Sequence, residues 1–276
     1  MYHDFYHLKE NPFNITADPD FFFFSKSHAE AISLLCFGIH QRKGILLVTG
    51  EIGTGKTTLS RMLLRLADEK TKYALILNPN FSETDLLKLI LEDLGISSER
   101  KTKFDLVKML NEFLLQETMQ GNNVVLVIDE AQNMTAQQLE QIRLLSNLET
   151  EKEKLLQIVL IGQPELEEKL RLPELRQLRQ RVAIYYQLQA LSKSNIKFYI
   201  KDRIKKAGYQ SNQARKVDFT DCAIDAIYQF SQGTPRTINI LCDRALLAGF
   251  IRETYSIDES IIKHCAKEVL YCEHNI

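Results

Sequence analysis

The sequence carries almost no net charge. Its 276 residues include 35 Lys and Arg against 36 Asp and Glu, which gives a net charge of −1 at pH 7. A protein without an overall positive field is not drawn to nucleic acid by charge alone. One local basic cluster is nevertheless present, with four arginines inside eleven residues: Arg171, Arg176, Arg179 and Arg181.

Paired cysteine motifs are also lacking. The chain has five cysteines, an odd number, and none of them shows C-x-x-C spacing: Cys36, Cys222, Cys242, Cys265 and Cys272. This pattern predicts reduced thiols and excludes both a disulfide framework and a zinc site as the basis of the fold.

Long hydrophobic runs do not occur. The most conspicuous apolar stretch, Phe21–Phe24, is far shorter than the roughly 20 residues that a membrane-spanning helix needs. It is expected to pack in a core. The N-terminus, Met1–Asp4, lacks the charged and apolar regions of a signal peptide. Together these absences predict a cytoplasmic protein, a location that includes the inner face of the cytoplasmic membrane.

The most informative motif is a glycine-rich loop, Gly50–Thr57, with the pattern G-x-x-x-x-G-K-T. The apolar run 44–49 before it is typical of a buried parallel strand, and 57–66 after it has apolar residues at helical spacing. A strand, this loop and a helix form the context of a phosphate-binding loop, in which backbone N–H groups and the helix N-terminus attract phosphate. The alternative is a glycine-rich turn before an ordinary helix.

The motif assigns roles to its residues. Lys56 is expected to reach the β- and γ-phosphates of a nucleoside triphosphate, and Thr57 is expected to offer its hydroxyl to Mg²⁺. The motif leaves the choice between ATP and GTP open. The predicted nucleotide-binding residues are Gly50, Glu51, Ile52, Gly53, Thr54, Gly55, Lys56, Thr57 and Thr58.

Two adjacent carboxylates, Asp129 and Glu130, follow a second buried run at 124–128. Asp129 is expected to hold the magnesium ion with Thr57, and Glu130 is expected to activate the attacking water as a general base. The alternative is an acidic pair that starts a surface helix, with Asp129 as its cap. The pair favours hydrolysis over small-molecule phosphorylation.

Strands and helices alternate along most of the chain. Strands are predicted at 44–49, 73–77, 124–128, 156–162 and 182–186. Helices are predicted at 27–41, 57–66, 82–94, 104–119 and 135–148, and later at 193–207, 221–231, 235–252 and 258–271. The first of these has Ser27 and Glu30 in a capping-box pattern, and residues 1–24 are expected to be irregular.

This alternation predicts an α/β fold with a five-stranded parallel sheet covered on both faces, followed by an all-helical lid subdomain. A whole strand–helix unit separates the loop strand from the carboxylate strand. This indicates the branch of P-loop NTPases in which an added strand separates the two motifs, a branch that includes the AAA+ proteins. The expected divisions are an N-terminal segment and first helix at 1–42, a nucleotide-binding core at 43–190 and a helical lid at 191–276.

Several segments point to one family when they are taken in order: Asn11–Phe13, Gly50–Thr58, Ile128–Asn133, Ile161–Leu166, Leu175–Arg181 and Gly233–Arg236. On these segments the chain resembles the AAA+ ATPase domain of the general secretion pathway protein A (ExeA) family over nearly all of its length. ATPases of mannose-sensitive (MshM-like) pilus biogenesis and of exopolysaccharide export are close relatives. Transposition regulator ATPases are more distant ones.

The resemblance implies roles for two polar residues. Gln163 matches the sensor 1 position near the γ-phosphate and the attacking water, although a turn start at Gln-Pro is the alternative. Arg236 matches sensor 2 of the lid, where its guanidinium would touch the γ-phosphate. A cation in the first turn of a helix is otherwise unfavourable, because that helix end is positive.

The resemblance also implies an assembly. The segment containing Arg179 and Arg181 lies at the subunit interface in this family, and one of these arginines would reach a neighbour's nucleotide. The residues leave the choice between them open, with Arg176 as a weaker candidate and a solvated basic face as the alternative. A ring-shaped or helical homo-oligomer follows. Around Asn11–Phe13 the chain is expected to flank the adenine, and His28 either lies near the base or is an exposed first-turn residue.

The function that the resemblance implies is an AAA+ ATPase that powers or regulates assembly of a bacterial secretion or pilus system. The alternative is a DNA-associated ATP switch like the transposition regulators, against which the net charge of −1 argues. Family members often continue into a membrane segment and a peptidoglycan-binding domain. This chain ends at Ile276, so it is expected to be either truncated or a stand-alone member, and peptidoglycan binding is not carried over.

Overall fold

The structure is a computed structural model that describes residues 2–99, 101–208 and 217–273, with the backbone alone for 269–273. The strands are β1 (Ile45–Gly50), β2 (Thr71–Ile76), β3 (Asn123–Ile128), β4 (Leu156–Gly162), β5 (Val182–Leu188), β6 (Asp218–Phe219) and β7 (Ser256–Ile257). The helices are α1 (Tyr2–Tyr6), α2 (Lys26–His40), α3 (Lys56–Arg65), α4 (Glu83–Asp93), α5 (Lys103–Met119), α6 (Ala136–Leu145), α7 (Glu165–Leu170), α8 (Arg176–Gln180), α9 (Lys193–Lys206), α10 (Asp221–Ser231), α11 (Pro235–Ile251) and α12 (Glu259–Glu273).

The chain forms two compact units. The sheet unit comprises Lys26–Ile52 and Lys56–Leu188, and the helical unit comprises Met1–Ser25, Gly53–Gly55 and Gln189–Ile276. Helix α2 and the N-terminal 25 residues thus belong to different units, whereas the sequence division grouped them as 1–42.

The sheet unit is built on five parallel strands in the order β2-β3-β4-β1-β5. All residues of β1 and β4 are buried, as are all but the first of β3, which explains their continuous apolar sequences. Only Ala74 and Ile76 of β2 and Leu188 of β5 are buried, and the other residues of these strands are exposed or half-buried, as expected of edge strands. The predicted five-stranded parallel α/β sheet is confirmed.

Helix starts in the sheet unit follow local chemistry. Ser82, Thr102 and Thr135 each accept a hydrogen bond at the N-terminus of α4, α5 and α6 respectively. The capping box predicted at Ser27 is wrong, because α2 begins at Lys26 and Ser27 lies inside its first turn. The Tyr186 hydroxyl instead donates to Ser27 Oγ at 3.1 Å and to Glu30 Oε2 at 2.9 Å, so tertiary packing uses the two residues that resembled a cap.

The helical unit contains α9 to α12 close to the predicted ranges, with two departures. The prediction of helices alone after 186 is wrong in detail, since β6 and β7 pair in parallel with Phe219 opposite Ile257. Each is two residues long, too short to produce a sequence pattern. The N-terminal segment is also not wholly irregular, because Tyr2–Tyr6 is helical.

Tertiary contacts hold this N-terminal segment within the helical unit. The buried Tyr6 hydroxyl donates to the carbonyls of Leu246 and Thr254, both at 3.1 Å. Arg203, 6% exposed, donates to the Pro12 carbonyl and, at 3.1 Å, to the Asn14 carbonyl. Five residues are too few to form a stable helix alone, so α1 depends on this packing.

The remaining sequence expectations concern apolar runs and cysteines. Phe21 and Phe22 are buried, as predicted for a core segment, whereas Phe24 is 55% exposed. No helix in the described ranges is both long and apolar enough to cross a membrane. The cysteines with described side chains are free thiols, and the side chain of Cys272 lies outside the described part of the chain.

Gly38→Ala tests how closely α2 packs on the sheet. A Cβ on Gly38 would lie 2.5 Å from Leu46 Cδ2 and 2.8 Å from Ile184 Cδ1. Helix propensity alone would stabilise the substituted protein by about 0.5–1 kcal/mol. Overpacking costs about 1–3 kcal/mol, so we expect a net loss of unfolding free energy in urea. Ser33→Ala on the exposed side of the same helix is the control, expected within about 0.5 kcal/mol of the parent. A stabilised Gly38→Ala protein would contradict this packing.

Candidate nucleotide-binding site

The order of the strands brings the motif residues to one edge of the sheet. Strand β4 lies between β1 and β3, and Thr49 of β1 pairs with Gly162 while Ile128 of β3 pairs with Leu160. Parallel strands end at the same edge, where ligands bind in open α/β sheets. The loop after Gly50, Gln163 and the Asp129–Glu130 pair therefore emerge side by side.

The glycine-rich loop contains two residues with left-handed backbone. Gly53 and Gly55 have φ values of +79° and +99°, which glycine adopts without strain. Lys56 is 5% exposed, and its Nζ donates to the Gly50 carbonyl at 2.7 Å and the Glu51 carbonyl at 2.9 Å. The ammonium is thus held inside the loop by the loop's own carbonyl oxygens.

The buried charges affect one another. Burial lowers the pKa of Lys56, while the carboxylates of Glu130 and Asp129 act in the opposite direction. Asp129 is 1% exposed, and burial raises the pKa of its carboxyl despite a hydrogen bond from the Thr57 hydroxyl. Asp129 Oδ1 also accepts the Glu130 backbone N–H at 2.9 Å. Thr57 and Asp129 thus lie within hydrogen-bonding distance of each other, and their shared role as magnesium ligands stays a prediction.

Glu130 has a left-handed backbone conformation, and its side chain accepts hydrogen bonds from two glutamines. Its φ and ψ of 52° and 36° are left-handed, a conformation that is uncommon outside glycine and tends to occur at functional sites. Its Oε2 accepts hydrogen bonds from the side-chain amides of Gln132 and, at 3.4 Å, Gln163. The alternative for the acidic pair, a helix capped by Asp129, is not what forms, because Glu130 precedes a 3-10 turn at Ala131–Asn133.

Gln132 joins this group although the sequence assigned it no role. Its Oε1 accepts the Gln163 backbone N–H at 3.0 Å while its Nε2 donates to Glu130. Its position two residues after the general-base candidate was visible in the segment Ile128–Asn133. Only the adjacency of β3 and β4, however, brings it to Gln163. The turn start at Gln163 is also real, since α7 begins two residues later.

A second polar group missed by the sequence lies just before the loop. The buried Thr49 hydroxyl donates to Glu167 Oε1 at 2.6 Å, and the Tyr185 hydroxyl donates to the same oxygen at 2.7 Å. These bonds connect β1, α7 and β5 at the edge where the loop begins. The group supports the position of the loop strand.

Arg236 lies in the first turn of α11, in the helical unit, and its side chain is exposed. Its backbone N–H donates to the Gly53 carbonyl at 3.2 Å. A Cβ on Gly53 would lie 2.7 Å from the Arg236 Cβ and 3.0 Å from Thr234 Cγ2. The tip of the loop therefore needs glycine for space as well as for its positive φ.

The two candidate finger arginines differ in their surroundings. Arg181 donates to the Arg143 carbonyl at 3.2 Å, to Ser146 Oγ at 3.0 Å and to Asn147 Oδ1, all at the C-terminal end of α6. Arg179 is exposed, and its side chain makes no hydrogen bond or ion pair within the described ranges. The same holds for Arg176.

The N-terminal candidates are only partly placed. Asn11 Nδ2 donates to Asp243 Oδ1 at 3.0 Å, inside the helical unit. His28 is 5% exposed, so the alternative of an exposed first-turn histidine is wrong. The position of His28 near the adenine base stays a prediction.

The residues present fit a nucleotide with magnesium. The loop glycines leave room for close approach of a phosphate, and the Lys56 ammonium lies at the loop. A hydroxyl and a carboxylate, from Thr57 and Asp129, are the hard oxygen ligands that Mg²⁺ prefers. A buried Asp129 with a raised pKa gains from a cation beside it, which is consistent with this role.

Comparison with known proteins also identifies an AAA domain. The AAA domain family matches residues 39–170. General secretion pathway protein A of Aeromonas hydrophila is 42% identical over 273 residues, which are 98% of this chain and 48% of that protein. The chain therefore spans about half the length of the curated relative it matches.

Solved structures identify the fold. Cdc6p from Pyrobaculum aerophilum is similar with a TM-score of 0.66 and 17% identity, covering 87% of this chain and 66% of that one. The RuvB Holliday junction branch migration motor of Thermotoga maritima is similar with a TM-score of 0.57 and 18% identity, covering 88% and 68%. At these identities the likeness concerns the fold alone. Together with the match to the AAA domain family, it confirms the predicted α/β P-loop AAA+ class.

Asp129→Asn tests the cost of burying this charge. Because the folded pKa is raised, the ionised carboxyl destabilises the ligand-free protein above that pKa, and the penalty is relieved as pH falls through it. At pH 7 we expect Asp129→Asn to stabilise the ligand-free protein by about 0.5–2 kcal/mol, while magnesium-dependent nucleotide binding is lost. Thermal unfolding and fluorescent-nucleotide titration measure the two effects.

Asp105→Asn is the matched control for this experiment. Asp105 is only half-buried, and hydrogen bonds from Thr102 lower the pKa of its carboxyl, so its substitution should bring no stability. Equal responses of the two variants would contradict the argument from burial.

Proposed function

The chain belongs to the AAA ATPase family of General secretion pathway protein A, and on that premise we propose that it binds ATP with Mg²⁺ and hydrolyses the nucleotide to ADP and phosphate. The convergence of Lys56, Asp129 and Glu130 at the carboxyl edge of the sheet carries the proposal. The Asp129 carboxylate is buried beside the Thr57 hydroxyl. The Glu130 carboxylate is half-buried, and its two oxygens have different surroundings.

Binding requires an exchange of partners at Lys56. Its ammonium gives up the carbonyls of Gly50 and Glu51 for the β- and γ-phosphate oxygens, so a charge already buried gains an anionic partner. The loop N–H groups and the N-terminus of α3 add to this attraction. Thr57 and Asp129 would hold magnesium, which neutralises charge on the phosphates when bound.

Hydrolysis is the task of the neighbouring residues. Glu130 accepts a proton from the attacking water, and Gln163, which already donates to Glu130, orients that water. Arg236 stabilises negative charge on the γ-phosphate in our proposal, supported by its position in the turn whose N–H binds the Gly53 carbonyl. ATP is preferred in the proposal because the family is one of ATPases.

Lys56→Ala and Glu130→Gln separate binding from hydrolysis. Lys56→Ala should abolish nucleotide binding, because it removes the one ammonium inside the loop. Glu130→Gln should retain binding but lower the hydrolysis rate by about 10²-fold or more, because the amide cannot accept the proton. Phosphate release and fluorescent-nucleotide titration measure these outcomes. If Lys56→Ala binds ATP like the parent, the site is elsewhere. If the parent protein does not hydrolyse ATP at any protein concentration, the proposed activity is wrong.

We propose further that the site is completed by a second copy of the chain in a ring-shaped or helical homo-oligomer. The observation behind this is the difference between the two arginines. Arg181 is occupied at the C-terminal end of α6, where a cation is favoured by the helix dipole. Arg179 is exposed and available, so we propose Arg179 as the residue that reaches the neighbour's phosphate.

Arg179→Ala and Arg181→Ala should therefore fail in different ways. Arg179→Ala should lower hydrolysis by about 10³-fold with unchanged thermal stability, since finger arginines contribute 10³–10⁵-fold. Arg181→Ala should lose about 1–3 kcal/mol of stability and keep hydrolysis per folded molecule, because it leaves helix-end acceptors unpaired. Mixing Arg179→Ala with Lys56→Ala should restore part of the activity in a mixed assembly. The reverse pattern would assign the finger to Arg181.

The output of hydrolysis is proposed from the relative. The name General secretion pathway protein A supports a role in powering or regulating assembly of a bacterial secretion or pilus system. The neighbouring genes would test this cheaply, because a secretin or pilus gene supports it. A transposase gene, together with hydrolysis that DNA stimulates in low salt, would select the DNA-associated switch instead.

A further inference from the structure

The two carboxylate oxygens of Glu130 have different surroundings. Oε2 accepts hydrogen bonds from the side-chain amides of both Gln132 and Gln163. Oε1 has no hydrogen-bond partner among the residues that the structure describes. The carboxylate is thus anchored through one oxygen and leaves the other open to a water molecule.

Hydrogen bonds fix the orientation of the Gln132 amide. Its Oε1 accepts the Gln163 backbone N–H at 3.0 Å, and a carbonyl oxygen is the only end of an amide that can accept. Its Nε2, which can only donate, must therefore face Glu130. The Gln132 side chain thus hydrogen-bonds through its oxygen to the residue that follows β4. Through its nitrogen it hydrogen-bonds to the Glu130 carboxylate, which follows β3.

The surroundings hold Gln132 in place. Lys169 Nζ donates to the Gln132 carbonyl at 2.6 Å and to the Met134 carbonyl at 2.7 Å, which fixes the turn after Glu130. A Cβ on Gly162 would lie 3.0 Å from Gln132 Oε1 and 2.8 Å from Leu166 Cδ2. Glycine at 162 thus permits the close approach of the amide to the strand end.

We propose that Gln132 is a positioning residue for hydrolysis, which anchors Glu130 Oε2 so that Oε1 faces the attacking water. This rests on the proposed function, since it takes Glu130 as the general base. Glu130 has a left-handed backbone, and its side-chain direction depends on such partners. Gln132 contacts Glu130 and the Gln163 backbone, and its role in the proposal is exerted through Glu130.

Gln132→Met tests the proposal, because it keeps the length of the side chain and removes both hydrogen bonds of the side-chain amide. We expect kcat to fall by about 10-fold or more, with KM and the affinity for fluorescent ATP unchanged. A merely structural role would lower affinity and thermal stability instead. In the Glu130→Gln background, Gln132→Met should cause little further loss of single-turnover rate. Asn133→Ala, at the exposed next residue, is the control and should keep the parental kcat.

A second measurement needs no hydrolysis. In the ligand-free protein, Gln132→Met and Glu130→Ala should destabilise less together than the sum of their separate effects in urea, because each already breaks the same hydrogen bond. Asn133→Ala combined with Glu130→Ala should be additive. An additive Gln132–Glu130 cycle, or a parental kcat in Gln132→Met, overturns the inference. A parent protein that never hydrolyses ATP overturns the proposed function, and the cycle still decides whether Gln132 holds Glu130.

Discussion

The site depends on the parallel register of β1, β4 and β3. Thr49, the last strand residue before Gly50, pairs with Gly162, and β3 continues the same edge through Ile128. This register brings residues that are more than one hundred positions apart to adjoining strand ends. A shift of one residue in β4 would move Gln163 to the other face of the sheet and separate it from Glu130. The burial of all three strands on both faces makes such a shift costly.

Charge burial is the second constraint. Lys56 and Asp129 are both nearly inaccessible to water, and burial moves the pKa of each toward its neutral form. The chain offsets part of this cost with local partners, namely the loop carbonyls for Lys56 and the Thr57 hydroxyl and Glu130 N–H for Asp129. Such groups gain most from a ligand that brings both negative phosphates and a cation. The free-energy cost of burying these two charges without a ligand is therefore a physical reason to expect that a ligand binds here.

Much of the fold could be predicted from the sequence because its signals are local. The five strands were recognisable from short apolar runs, and their ranges agree with the structure within about two residues. The caps at Ser82 and Thr135 act within one helical turn. The errors fall where local pattern and tertiary contact compete. Ser27 and Glu30 resemble a cap but bind the Tyr186 hydroxyl, and α1 and the pair β6–β7 are too short to have a pattern of their own.

The sequence by itself determined that a glycine-rich loop follows one apolar run and two adjacent carboxylates follow another, and it predicted phosphate, magnesium and general-base roles for them, because each group is encoded by neighbouring residues whose spacing sets their geometry. Only the tertiary structure decided how those groups are connected. It showed that Gln132 joins Glu130 to Gln163, because that contact requires β3 and β4 to be adjacent. It also distinguished Arg181 from Arg179, since the two are alike in sequence and differ only in what lies within reach of their side chains.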